Sequence, residues 1–212
     1  MSSFFYIGGI MSLTKTSELE AVNIMLATIG EAPVNTLTGS VTADVGIAQN
    51  ILTEVSKDVQ TSGWNFNTDY DFEMSPSSVD KKIAVSGDIV RLDMEEKNVK
   101  NHMDIIVREG FVYDKYNQTF EFDEAIKLTI VRLYDFNQLP QPARTYIVKR
   151  AARIFNDRMI GSGKHHDFAL MDERQALFAL RDFDGESSDH TIFDHYDTYR
   201  AVDRRGVAHR VR

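Results

Sequence analysis

The chain has no cysteine, only four prolines and a single tryptophan among its 212 residues. Without cysteine there are no disulfides, thiolate metal sites or cysteine nucleophiles, which fits a chain that meets no oxidising compartment. No apolar run approaches the ~20 residues that cross a bilayer. The apolar start, Phe4 to Ile10, is too short for a signal h-region and has no basic residue before it, so residues 1–12 read as an arm or as an extension upstream of Met11. Positive charge is also scarce. The net charge is −8, and an acidic chain is a poor general partner for phosphates.

Net positive charge is confined to two islands. Residues 1–63 sum to −4, 64–138 to −6, 139–163 to +4, 164–198 to −6 and 199–212 to +4. Such islands suit acidic protein surface, on the same chain or on a partner. In the first, Lys149, Arg150 and Arg153 mark a basic helix face or a subunit interface. In the second, Arg200, Arg204, Arg205, Arg210 and Arg212 mark a tail suited to anchoring on a partner.

The organising stretch runs from Ile126 to Gly161. Ile126, Leu128 and Ile130 alternate with Lys127, Thr129 and Val131, the period of a half-buried strand. Pro140 and Pro142 end that ladder, because proline has no N–H, and Pro142 suits the first turn of a helix. From Ala143 the period becomes helical: Ile147, Ala151, Ile154 and Phe155 share a core-facing arc, and Gly161 supplies the stop.

Upstream, Ser17 and Glu20 have capping-box spacing ahead of Leu19, Val22, Leu26 and Ile29, and Gly30 and Pro33 end this first helix. A second helix carries Val45, Ala48, Leu52, Val55 and Val59 on one face and stops at Ser62-Gly63. Strand candidates follow at 89–92, 105–107, 111–113 and 119–122, the last three reading as a meander. Trp64 and Phe66, with Ile147, Ile154 and Phe155, are expected in the core where the two regions join. Asp167 is expected to cap a fourth helix with Phe168, Met171, Phe178 and Leu180 on its apolar face, ending near Gly185. The expected class is α+β: a helical bundle (13–63 and 139–185), an inserted antiparallel β-domain (64–138) and an extended C-terminal tail (186–212).

Motifs for chemistry are weak. Gly161-Ser162-Gly163-Lys164 resembles the end of a phosphate loop but follows a helix, and Arg158 and His165 occupy the positions of its glycine and hydroxyl. His165-His166-Asp167 and the histidines at 190 and 195 lack helical metal-ligand spacing. No cofactor or metal is expected. The alternative to a non-catalytic protein is a glycan hydrolase working through an Asp/Glu pair, which needs two convergent carboxylates. A DNA-contacting gate acting through Arg150 and Arg153 is a further rival, and predicts steep salt dependence.

The wording of several segments goes beyond pattern. Glu18 to Asn23, Leu26 to Leu37, Ser62 to Asn67, Gly110 to Asp114, and Ile130 to Asp135 running on to Phe155-Asn156-Asp157-Arg158 resemble, in order, the tail tubular protein A family. These are the head-to-tail adaptors of short-tailed bacteriophages, the podoviruses. The resemblance covers about residues 13–183. It implies a non-enzymatic virion protein, made in the host cytoplasm and built into the head–tail junction. It also implies a homo-dodecameric ring between the portal protein and the tail nozzle (tail tubular protein B). Tail fibres would attach near that junction, and genomic DNA would pass through the channel without sequence-specific binding. The implied protomer is a bundle with an inserted β-domain.

Overall fold

In the computed structural model, residues 14–94, 103–161 and 163–187 are described. The arm at 1–12 and the arginine-bearing tail, with Arg200, Arg204, Arg205, Arg210 and Arg212, lie outside these residues.

The first helix, α1 (Glu18–Thr28), opens on the expected capping box: the Ser17 hydroxyl accepts from the Glu20 N–H, and the Glu20 carboxylate accepts from the Ser17 N–H at 2.8 Å. Gly30, at φ +82°, turns the chain out of it. The Asn23 side chain then pairs with both backbone groups of Val34, fixing the loop that leads to α2 (Ala43–Thr61).

The chain next enters a β-region with β1 (Thr68–Met74), β2 (Ile89–Met94), β3 (Ile105–Arg108), β4 (Phe111–Asp114) and β5 (Ile126–Arg132). It returns to helices α3 (Gln141–Met159) and α4 (Gly163–Ser187). β5 is central in an antiparallel sheet of order β1-β5-β2, and β3 and β4 form a separate hairpin. The strand that leaves the bundle and the strand that returns to it are therefore neighbours, with Thr68 opposite Val131 and Met74 opposite Ile126.

Two hydrophobic clusters follow from this plan. One joins α1, α2, α3 and the inner side of α4 around Met25, Ile51, Leu52, Ile147, Phe155 and Leu180. The other fills the β-region around Ile83, Val112, Leu128 and Ile130.

Three expectations need correction. β1 is absent from the strand candidates because a bulge between Asp69 and Phe72, with Asp71 at φ +53°, breaks its period of two. Residues 119–122 make only isolated bridges (Thr119 to Asp114, Glu121 to Lys82), so the meander reduces to a hairpin. Its cause is Asp114, which gathers the N–H groups of Asp104, Tyr116 and Asn117 and closes a tight loop instead of a third strand. Finally, α4 begins at Gly163, not at Asp167, and runs through Gly185 to Ser187. A mid-helix glycine costs only about 1 kcal/mol, and Asp184 is held by two hydrogen bonds from Asn65.

The corner between β5 and α3 is tied by Arg144, a side chain that sequence reading does not single out. Its guanidinium donates to the carbonyls of Leu139 (2.8 Å), Thr16 (2.7 Å) and Asn137. It lies over the Phe136 ring and has no carboxylate partner among the described residues, and burial alone pulls its pKa below the ordinary arginine value. Gln141 adds a bond in each direction with Thr16, so the start of α1 and the start of α3 are strapped together.

Removing this cation would leave the buried Leu139 carbonyl without its donor and release those of Thr16 and Asn137. Arg144→Met is expected to lower unfolding free energy by about 3 kcal/mol, whereas Lys149→Ala, at an exposed ion pair, should change it by about 0.5 kcal/mol or less; urea denaturation compares the two. Gly63 sits at φ +77°, where a Cβ would stand 2.6 Å from the Arg91 guanidinium and 3.2 Å from Val131. Gly63→Ala should therefore cost about 1–2 kcal/mol in the same assay.

Candidate functional site

The basic side of α3 is the first surface the sequence proposes, and within the chain it is already engaged. Arg150 reaches Asp58 of α2 at 2.6 Å, and Arg158 reaches Glu54 at 3.4 Å. Lys149 meets Asp172 of α4 at 2.9 Å, while Arg153 binds Glu173 and, at 3.3 Å, Asp157. Arg153 and Glu173 are largely buried, and that carboxylate raises the arginine's pKa above its ordinary value despite partial burial. The same Asp157 oxygen lies 2.8 Å from His166 Nδ1, so one carboxylate joins the end of α3 to the start of α4. His165 stays exposed.

These cations thus fasten α3 to α2 and α4. They do not stand free to meet phosphates.

The predicted domain-junction residues divide into two groups. Ile147 and Phe155 are fully enclosed in the bundle core, and Trp64, Phe66 and Ile154 pack partly buried against it. What fixes the junction is mostly polar and is missed by an apolar search. Trp64 Nε1 donates to the Val59 carbonyl at 2.8 Å. Asn67 is buried and donates to the carbonyls of Gln60 and Arg132, linking α2 to β5. The Gln60 amide makes a two-way pair with the backbone of Tyr134, at 3.0 and 2.8 Å. A buried glutamine and asparagine with every bond made specify one geometry. The signal available in the sequence is the Gln60-to-Asn67 stretch around a lone Trp64.

A cleft of about 530 Å³ lies beside this junction, lined by Glu18, Ser56, Lys57, Gln60, Tyr134 and Asp135 among others. Its innermost polar group, Gln60, is committed to Tyr134 and to Ser56. Among the described residues no group of three or more His, Asp and Glu side chains could hold a metal ion. No helix among them is long and apolar enough to cross a membrane.

The outer face of α4 departs most from expectation. Of the four residues assigned to its apolar face, Leu180 alone is buried; Phe168, Met171 and Phe178 are 73%, 67% and 61% exposed. The inward face uses smaller or polar residues instead: Ala169, Glu173, Ala176, Leu177 and Leu180. At 100° per residue, Met171 and Phe178 lie almost opposite Leu180, flanked by Arg174 and Arg181. Neither arginine has an ion pair among the described residues.

The described fold is a helical bundle carrying a β-insertion, with the cations of α3 paired internally and three large apolar side chains of α4 facing outward. The sequence profile described as Tail tubular protein matches residues 19–190, spanning both the bundle and the insertion, and the chain belongs to that family. A similar relative is the Tail tubular protein A of Klebsiella phage KP34, 27% identical over 166 residues, which cover 78% of this chain and 86% of the relative. This identifies a structural component of a phage tail.

The β-region carries the acid sensitivity. Asp88 is held below the ordinary carboxylate value of 3.8 by the Ser86 hydroxyl and the Arg132 guanidinium. At Asp114, burial pushes the pKa up, but the Asn117 amide and the N–H groups of Asp104, Asn117 and Tyr116 outweigh it, for a net lowering. Folded values below the unfolded ones mean that this stability is present above pH 3.8 and is lost as pH falls through the folded values. Circular dichroism is expected to show loss of strand signal only below about pH 4. Asp114→Asn should lower stability at pH 7 and flatten the acid dependence.

Proposed function

We propose that this chain is the head-to-tail adaptor of a short-tailed phage, a homo-dodecameric ring seated between the portal protein and the tail nozzle, tail tubular protein B. The ring surrounds a channel for genomic DNA, and its outer side contributes to tail-fibre attachment. The observation that carries this reading is the family match across residues 19–190, which takes in both the bundle and the inserted domain. Its likeness to a Tail tubular protein A supports the A-type position in the tail.

The physics agrees. Bundle and insertion give a protomer two unlike ends, one for each neighbouring ring. The net charge of −8 suits a lumen that repels DNA and lets it slide without binding at each phosphate. The +4 of residues 199–212 suits an anchor in an acidic groove of the portal through charge-assisted bonds. The reading needs no catalysis.

Electron micrographs of the protein mixed with its portal should show one ring stacked on another; bare portals would refute the assignment. Removing residues 199–212 should abolish portal binding with an unchanged circular dichroism spectrum, and retained binding would overturn the anchoring role.

A further inference from the structure

The outer stripe of α4 asks for an occupant. Phe168, Met171 and Phe178 are each more than half exposed, and contiguous exposed apolar surface marks a contact site. From Phe168 to Arg181 the stripe runs about 20 Å. Along it stand Arg174 and Arg181, unpaired among the described residues, whereas Lys149, Arg150, Arg153 and Arg158 all have carboxylate partners.

The complement lies on the α1–α2 hairpin of the same protein. α4 packs on α3 and makes little contact with α1 or α2, so the α1–α2 hairpin presents a flank of its own. On this hairpin Ile47 is 39% exposed, and Ile24, 43% exposed, borders a groove shared with α3 and α4. The hairpin also bears Glu31 and Asp44, which have no ion pair among the described residues. Residues 14–62 carry a formal charge of −4. One side thus offers aromatic and sulfur-bearing side chains with free cations, and the other offers aliphatic side chains with free carboxylates.

We propose that the outer stripe of α4 docks on the α1–α2 flank of a second copy of this chain, as the lateral contact between neighbouring subunits. The inference rests on the ring reading above and gives that ring its contact surface. Two different patches meet, so the contact is heterologous, the kind that propagates around a closed ring instead of ending at a pair. One helix face is smaller than the roughly 800 Å² per partner of a standard interface, so it holds best where each copy is gripped from both sides. Arg174 and Arg181 then find their carboxylates on the neighbour, which sets register as well as attraction.

The absence of cysteine makes the contact testable by cross-linking in full-length protein. Two double variants, Phe178→Cys with Ile47→Cys and Phe178→Cys with Ile24→Cys, would be placed in phage and the purified tails treated with a short bismaleimide. The expected result is a ladder of covalent oligomers from at least one double variant and none from any single variant. Tails that contain the protein but give no ladder from either double variant overturn the contact. A covalent dimer from Phe178→Cys alone also overturns it, by showing α4 paired with α4.

Beside these, Phe178→Glu should keep the wild-type thermal midpoint and lose incorporation into tails by at least about tenfold, as removal of an interface aromatic does; normal incorporation counts against the proposal. Wild-type protein missing from tails altogether would sink the ring reading itself, a result separate from failure of the contact.

Discussion

Three backbone carbonyls around one guanidinium hold the bundle's entrance together. Arg144 gathers Thr16 from the approach to α1 and Asn137 and Leu139 from the corner after β5, all onto the first turns of α3. A cation near a helix N-terminus works against the macrodipole, and a buried cation without a counter-ion is costly unless its donors are satisfied. Carbonyl dipoles meet that need here. The corner cannot open without exposing a charge-sized hole, so the start of α1, the end of the sheet and α3 keep one mutual geometry. The rest of the bundle packs on it.

Much of this architecture is legible in the residues, and the reasons for the exceptions are physical. The α1 cap is readable because it is local: Ser17 and Glu20 satisfy each other across three residues. The β5–corner–α3 stretch is readable because a change of period coincides with two prolines. Arg144 is unreadable because its partners come from chain segments that pattern does not connect. Strand β1 is hidden by a bulge that shifts its alternation midway. The face of α4 misleads for a different reason, since hydrophobic periodicity reports that a stripe will be covered and not by what. Phe168, Met171 and Phe178 have helical spacing, yet Ala169, Ala176 and Leu180 supply the closer packing against α3.

The cations of α3 teach the complementary lesson. As a block of sequence, residues 139–163 are basic enough to suggest a surface for a partner. In three dimensions its Lys149, Arg150, Arg153 and Arg158 are matched by Asp172, Asp58, Glu173, Asp157 and Glu54, so their charge binds the chain to itself. Among the described residues, what this pairing leaves outside it is α4's outer face, where Phe168, Met171 and Phe178 are exposed and Arg174 and Arg181 have no ion pair.

The adjacency of β1 and β5 has a mechanical consequence. Both covalent connections of the insertion pass through one antiparallel ladder, and Asn67 stitches its base to α2. A load applied at the far tip of the β-region is carried through that ladder, its stitch and the Arg91 guanidinium of β2, which donates to the Ser62 carbonyl at the end of α2. The insertion is therefore rooted at one edge of the bundle, and any force on it reaches the helices through the junction of α2, β1 and β5.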